Sequence, residues 1–189
     1  DTILVHHAAG GVGTATAQLA KALEAGAVYG TASANKADFV ESHGMIHIPR
    51  GKDFVKRVKD EVGGVHHALD PVGGKHVMDS YRALRNGGRL YVFGASSAVK
   101  GPKRSMWTAL KMWRSTPKFD PLKMMNSNKS VFGVHMGQWK DENVIREQMV
   151  SLSKMLELGL INPVVDSVYR FEDVADAQKH IHDRGNRGK

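Results

Sequence analysis

Short apolar runs alternate along this chain with longer stretches in which apolar residues recur at helical spacing. The apolar runs predict strands near Thr2–His6, Ala27–Ala32, Met45–Pro49, Val65–Asp70, Arg89–Phe93 and Val131–Val134, with Val164–Tyr169 as a further short candidate. The periodic stretches predict helices near Gly11–Glu24, Ala34–His43, Asp53–Val62, Lys75–Leu84, Asn143–Leu158 and Glu172–Asp183. Because strand and helix alternate, the pattern predicts an α/β fold: a doubly wound parallel sheet of about six strands with helices on both faces.

The turn after the first strand carries the clearest chemical signal. The run AAGGVG (residues 8–13) leads from the strand directly into a helix, which is the context that a dinucleotide-binding fingerprint requires. Gly10 allows the main chain to approach a pyrophosphate, and Gly13 allows the helix to pack closely on the strand. The first helix also offers unpaired N–H groups to phosphates. We therefore predict a Rossmann-type sheet with cofactor contacts at Ala9, Gly10, Gly11, Val12 and Gly13, although Ala8 replaces the first glycine of the usual motif.

The residues after the second strand indicate which nucleotide binds. Sites that prefer NAD usually have Asp or Glu there to bind the ribose 2′-hydroxyl, whereas this chain has no acid before Asp38. The hydroxyl of Ser33 and the ammonium of Lys36 are instead able to bind a 2′-phosphate. We therefore predict NADP(H) as the cofactor. In the alternative interpretation, Ser33 only caps the next helix and Lys36 is a solvated charge.

Several segments, in their order and spacing, resemble one branch of a known superfamily. AAGGVG, GTASANK (Gly30–Lys36), DPVGG (Asp70–Gly74) and GGRLYVFGASS (Gly87–Ser97) resemble the zinc-independent, zeta-crystallin type of quinone oxidoreductases among the medium-chain dehydrogenases/reductases. GPKR (Gly101–Arg104), FGVHMG (Phe132–Gly137) and DSVYRFEDVADA (Asp166–Ala177) are more similar still to the vesicle amine transport protein homologues of that branch. The resemblance implies hydride transfer from NADPH to quinones or to activated alkenes and carbonyls.

The same resemblance implies cofactor contacts beyond the glycine-rich turn. The family places nicotinamide contacts at the Phe-Gly that matches Phe93-Gly94, and it often has a 2′-phosphate-binding tyrosine where this chain has Pro49, so that Arg50 is a candidate replacement. The further residues expected at the cofactor are Gly30, Arg50, Asp70, Val72, Phe93, Gly94, Ser96, Phe132 and His135. For Asp70 a plain role in the turn is an equal alternative, and Val131, Phe132 and Val134 are better interpreted as buried strand residues.

The length of 189 residues and the 41% hydrophobic content suit one domain with a sizeable core. The resemblance implies that a whole enzyme also has a GroES-like catalytic domain before this region and a final strand after it. We therefore expect residues 1–189 to be the NADP-binding domain alone, with the catalytic residues elsewhere. Related proteins dimerise through edge strands, and an uncovered apolar edge favours pairing, which predicts a homodimer through Val131–Val134.

The absence of cysteine excludes thiolate metal sites and disulfides, and the ten histidines remain as candidate metal ligands. His6-His7 and His66-His67 are adjacent on or near strands, so their side chains are expected to point to opposite faces. His180 and His182 diverge around a helix, by about 200° at the ordinary helical period. We therefore expect no metal site.

The formal charge of +8 is concentrated between Lys100 and Met125, where seven basic residues and one acid occur. Met106, Trp107, Leu110 and Trp113 recur there at helical spacing. Such a helix is able to lie on an anionic membrane, but we favour a flap whose Trp/Met face packs over the substrate cleft or over the further domain that the resemblance implies. Nucleic-acid binding is not expected, because the charge is local and no reading motif accompanies it. Without an apolar run of the ~20 residues that span a bilayer, we expect a cytoplasmic protein, with peripheral membrane contact as the alternative.

Overall fold

A computed structural model describes residues 1–51, 53–96 and 106–189, and its centre is one parallel sheet. The six strands are β1 (Ile3–His6), β2 (Val28–Ala32), β3 (Ile46–Pro49), β4 (Val65–Asp70), β5 (Leu84–Val92) and β6 (Ser130–Gly133). Their order across the sheet is β3-β2-β1-β4-β5-β6, so the winding reverses between β1 and β4. In open α/β sheets, ligands bind at the carboxyl ends of the strands beside such a reversal.

Eight α-helices occur in the described part of the chain. They are α1 (Gly11–Ala22), α2 (Ala37–Ser42), α3 (Phe54–Val62), α4 (His76–Ala83), α5 (Met106–Ser115), α6 (Pro121–Ser127), α7 (Glu142–Glu157) and α8 (Val174–His182). Short 3-10 helices occupy Ala34–Lys36, Met136–Gln138 and Phe171–Asp173. The predicted helices are thus confirmed in place and type, with ends that differ by a few residues.

Two predicted strands differ from the structure. β5 begins at Leu84 and not at Arg89, because Leu84 pairs with Val65 ahead of a register shift in the ladder. Val164–Tyr169 forms no strand. Its backbone instead exchanges two hydrogen bonds of 2.8 Å with Lys189, through the carbonyl of Val164 and the amide of Asp166.

The sheet has an apolar core on each face. Val5 and Val28 pack with Ala17 of α1 and Val40 of α2 in one core. In the other core, strand residues such as Leu4 and Leu90 pack with Val58 of α3 and Val77 of α4. Neighbouring strand residues such as Leu4 and Val5 belong to different cores because their side chains point to opposite faces. The doubly wound sheet with helices on both faces is confirmed.

The later part of the chain is much more exposed. Trp107 and Trp113 of α5 are 81% and 71% exposed, so the described residues of this chain do not cover this face, and its packing over the substrate cleft or over a further domain stays a prediction. Neither core includes a residue of α5, which explains the exposure. Phe132 is also 45% exposed, contrary to the expectation of a buried strand residue, because β6 forms the edge of the sheet. Ser97, the GPKR segment and the first residues of Lys100–Met125 lie outside the described residues, and no described helix is long and apolar enough to cross a membrane.

Candidate functional site

The glycine-rich turn lies between β1 and α1, beside the point where the winding reverses. Gly10 is the N-cap of α1 in an extended conformation, and its N–H donates to the carbonyl of His7 at 2.9 Å. A Cβ on Gly13 would lie 2.2 Å from the carbonyl oxygen of Ala8, which confirms that glycine is needed for the close packing of helix on strand. The N–H groups in the first turn of this twelve-residue helix have no partner within the helix and are suited to bind a phosphate.

Gly30 of β2 packs closely against the glycine-rich turn. A Cβ on this residue would lie 2.7 Å from the Cβ of Ala8 and 3.0 Å from Cγ1 of Val40. Gly30 is therefore required for the packing of β2 under the turn. It does not line the cavity described next, and its contact with the cofactor stays a prediction.

A cavity of about 510 Å³ opens beside the glycine-rich turn. It brings together residues from five separate segments: the turn, the end of β2, the end of β3, the loop after β5 and the segment after α8. The members that the sequence predicted are Ala9, Gly10, Ser33, Lys36, Arg50 and Ser96. The residues that the sequence analysis assigned to a 2′-phosphate and those that it assigned to the diphosphate therefore line one cavity.

Lys36 connects this cavity to the end of the chain. Its ammonium donates to the carbonyls of Arg184 and Asn186 at 2.8 and 2.6 Å. Partial burial and the nearby Arg187 lower the pKa of Lys36. Ser33 is the N-cap of the short helix that follows it, but its hydroxyl makes no capping hydrogen bond. Lys36 is therefore not a freely solvated charge, whereas Ser33 has the predicted N-cap position without a capping hydrogen bond from its hydroxyl.

The sequence analysis missed the contribution of the segment after α8. Arg184 and Asn186 line the cavity, as do His7 and Asp183. The segment is held in place where the N–H of Gly188 donates to the carbonyl of Ala9 at 2.8 Å. Its only local signal is a cluster of basic residues, and no periodicity relates residue 184 to residue 36, which lies 148 positions earlier.

Asp70 orders the turn after β4 and does not reach the cavity. Its fully buried carboxylate accepts hydrogen bonds from the N–H groups of Val72 and Gly73, from Nδ1 of His76 and from the hydroxyl of Ser80, at 2.7 to 3.0 Å. Burial alone would raise the pKa of Asp70, but these hydrogen bonds and the nearby histidines hold it well below its usual range. The carboxylate therefore has the role in the turn that the sequence analysis gave as the alternative, and contact of Asp70 with the cofactor stays a prediction.

The loops after β4 and β5 fit closely against each other. The amides of Phe93 and Ser96 donate to the carbonyls of Asp70 and Pro71 at 3.1 and 3.0 Å. A Cβ on Gly94 would lie 2.6 Å from the carbonyl oxygen of Pro71. Glycine is therefore needed here for contact between loops, and of the predicted residues in these two loops only Ser96 lines the cavity.

Ligand atoms of His6, Asp70 and His76 lie within 4.8 Å of one another, as in some metal sites. The Ser80 hydroxyl lies among them, 2.7 Å from Asp70 and 3.1 Å from Nε2 of His6. Since a carboxylate only accepts, Ser80 donates to Asp70 and accepts from His6, whose Nδ1 then accepts from Thr31 at 2.9 Å. Burial lowers the pKa of His6 to about 3. Hydrogen bonding alone therefore accounts for this cluster, and the absence of a metal stays a prediction.

The two adjacent histidine pairs behave differently. His6 points into the core against Phe54, whereas His7 lines the cavity. The expectation that His66 and His67 point apart is wrong, since Nε2 of each lies 3.4 and 3.1 Å from the carboxylate of Asp1. The register shift between β4 and β5 at this place changes the strand alternation.

Phe132 and His135 lie away from the cavity. The ring of Phe132 stacks on Tyr91 of β5, with centroids 5.3 Å apart. His135 is exposed and precedes the 3-10 helix at Met136–Gln138. The structure therefore does not bring these two residues to the other predicted contacts.

Comparison with known proteins identifies the family. A family model described as zinc-binding dehydrogenase matches residues 11–155. The chain is 34% identical over 193 residues to the synaptic vesicle membrane protein VAT-1 homolog of Danio rerio, which covers 100% of this chain and 40% of that protein. It is 26% identical over 194 residues to the quinone oxidoreductase of Homo sapiens, with 100% and 53% covered.

Solved structures show the same relationship. The human synaptic vesicle membrane protein VAT-1 homolog-like protein matches with a TM-score of 0.75 and 28% identity, over 99% of this chain and 51% of that one. A mycobacterial protein complexed with NADPH matches with a TM-score of 0.74 and 26% identity, over 100% and 56%. The chain thus spans about half the length of the relatives it matches. It belongs to the zinc-binding dehydrogenase family and is a VAT-1-like member of the medium-chain dehydrogenase/reductase superfamily.

Proposed function

We propose that this chain is the NADP(H)-binding domain of a zinc-independent oxidoreductase that reduces quinones or activated alkenes and carbonyls. The observation that carries the proposal is the cavity beside the glycine-rich turn, into which Lys36, Arg50 and Arg184 bring three cationic side chains. Family membership, the similarity to human quinone oxidoreductase and the mycobacterial NADPH complex support it. In this proposal the protein works in the cytoplasm.

The residues present fit a dinucleotide. Gly10 and the N–H groups at the start of α1 would bind the diphosphate, and the guanidinium groups of Arg50 and Arg184 suit the 2′-phosphate. Asp183 also lines the cavity, but three cations outweigh its charge. The nicotinamide would then extend toward the loops after β4 and β5. The bound cofactor supplies the hydride, and the protein supplies binding and orientation.

A displacement experiment tests the nucleotide assignment. NADPH bound to the chain is followed by its fluorescence, and 2′,5′-ADP and 5′-AMP are added as competitors. We expect 2′,5′-ADP to compete at least about tenfold better, because only it carries the phosphate that the cations suit. Equal competition by the two nucleotides would contradict an NADP site.

A second candidate function is contact with an anionic membrane, and the exposure of α5 favours it. Trp107 and Trp113 are largely exposed on a helix that also carries Lys111 and Arg114. Apolar rings and cations on one helix suit a lipid surface that contains phosphatidylserine. Vesicles of phosphatidylserine and phosphatidylcholine should shift the tryptophan emission to the blue in a Trp139→Phe background. Emission that phosphatidylserine leaves unchanged would exclude this function for α5.

A further inference from the structure

His7 occupies an unusual position at the entrance to the glycine-rich turn. Its backbone is left-handed, with φ +57°, which is uncommon for a residue with a side chain. The carbonyl of His7 accepts the N–H of Gly10, so this conformation belongs to the turn itself. Because of this conformation, the alternation of side chains between the two faces of β1 ends at His6. His7 therefore lines the cavity together with Gly10 and Arg50.

The imidazole of His7 has no hydrogen-bond partner among residues 1–51, 53–96 and 106–189. The neighbouring His6 is different, since Thr31 and Ser80 occupy both of its ring nitrogens. A half-buried imidazole at the wall of a polar cavity therefore keeps its donor and acceptor available for a ligand.

The charges that face His7 are mostly positive. Burial, Arg50, Arg184 and His76 lower the pKa of His7 to about 4, while only Asp70 acts in the opposite direction. Lys36 and Asp183 also line the cavity. His7 is therefore neutral at neutral pH, in a site where two guanidinium groups face it and no carboxylate of the described residues forms an ion pair with them.

We propose that His7 is a phosphate-binding residue of the nucleotide site, which takes up a proton from solvent when a phosphate group of the adenine nucleotide enters beside Arg50 and Arg184. This inference rests on the proposed NADP(H) site. The negative charge of a phosphate group reverses the field at the imidazole, and its oxygen accepts a charge-assisted hydrogen bond from the imidazolium. Two groups of the cofactor carry this chemistry, the diphosphate and the 2′-phosphate. No covalent bond changes.

Proton uptake makes nucleotide binding depend on pH. Below the pKa that His7 reaches in the complex and above its value in the free chain, each fall in pH favours the bound state. The variant His7→Asn removes the titrating group, and asparagine tolerates the left-handed backbone. Between about pH 8.5 and about pH 6.5, we expect the affinity of the unmodified chain to rise roughly five- to tenfold relative to His7→Asn. Titration of the phosphate itself is common to both proteins and cancels in this ratio.

Calorimetry of the 189-residue chain in buffers of different ionisation enthalpy measures the protons taken up. The unmodified chain and the control His182→Gln, which changes an exposed histidine of α8, should take up more protons with NADPH than His7→Asn does. A difference seen with NADPH and not with NADH supports contact with the 2′-phosphate, and a difference with both supports contact with the diphosphate. Tight NADPH binding with equal proton uptake in all three proteins would overturn this inference and leave the proposed function standing. Failure of the unmodified chain to bind NADPH would overturn both.

Discussion

Some residues of the site contribute charge to the cavity and others hold neighbouring segments in place, and Lys36 does both. It contributes a cation to the cavity and holds the carbonyls of Arg184 and Asn186. We expect Lys36→Ala to weaken NADPH binding by about 1–3 kcal/mol, the scale of hydrogen bonds to charged groups, and to weaken NADH binding less. Calorimetric titration measures both affinities. Lys21→Ala, which removes an exposed lysine of α1, is the matched control and should change neither.

Asp70 provides the contrasting case of a residue that supports the site through stability. Asp70→Asn should lower the free energy of unfolding in urea by about 1–3 kcal/mol, because buried donors lose their charged acceptor. Under conditions in which the variant is fully folded, its affinity for NADPH should stay within about twofold of that of the unmodified chain, since this carboxylate does not reach the cavity. A large loss of affinity without loss of stability would show that Asp70 binds the cofactor. Asp79→Asn, on the outer side of α4, is the control.

The low pKa of Asp70 also predicts a dependence of stability on pH. Because the folded pKa lies below the unfolded value of about 3.9, the stabilisation is complete above that value and is lost as the pH falls through the folded pKa. The unmodified chain should therefore lose more stability than Asp70→Asn in strong acid. If the free energy of unfolding fell equally with pH in the two proteins, the conclusion that Asp70 is ionised and hydrogen-bonded in the folded chain would be contradicted.

At the scale of elements, substitution of two glycines in the same turn should have different effects, one on NADPH binding and the other on stability. Gly10→Val places a branched side chain where the diphosphate approaches, so NADPH binding should be lost while circular dichroism stays unchanged. Gly13→Ala should instead unfold the chain or lower its melting temperature by several degrees, because the new methyl would lie 2.2 Å from a backbone oxygen. Unchanged NADPH binding by Gly10→Val would place the ligand elsewhere.

The elements themselves were largely predictable because periodicity is a local property. The glycine-rich turn, Ser33 and Lys36 were identified from the sequence because each follows a strand whose carboxyl end meets the same edge of the sheet, and Arg50 was identified from the family resemblance. Arg184 and His7 were not. Arg184 reaches the site through its contact with Lys36, which lies 148 positions earlier in the chain. His7 reaches it through a left-handed backbone conformation, which no sequence pattern predicts for histidine. Likewise, the early start of β5 depends on pairing of Leu84 with a distant partner, Val65.

At the scale of the whole molecule, burial was the least predictable property. The spacing of Trp107 and Trp113 defines a helix face, but spacing does not say whether anything covers that face. The same holds for β6, whose Phe132 is exposed at the edge of the sheet.

The exposed edge predicts self-association. β6 pairs with β5 on one side and ends the sheet on the other, and an open apolar edge favours pairing with another strand. We expect light scattering to give the mass of a dimer at tens of micromolar and Val131→Pro, which cannot donate to a strand ladder, to give a monomer. A monomer mass for the unmodified chain would contradict a homodimer through Val131–Val134.

The central claim is that the cavity beside the glycine-rich turn selects a nucleotide with a 2′-phosphate. Calorimetric titration of this chain with NADPH and with NADH tests it most directly, because the two cofactors differ only in that phosphate. The cations at Lys36, Arg50 and Arg184 predict tighter binding of NADPH by at least about tenfold, and a loss of most of this preference at high salt. Equal affinities for the two cofactors, or tighter binding of NADH, would contradict the account.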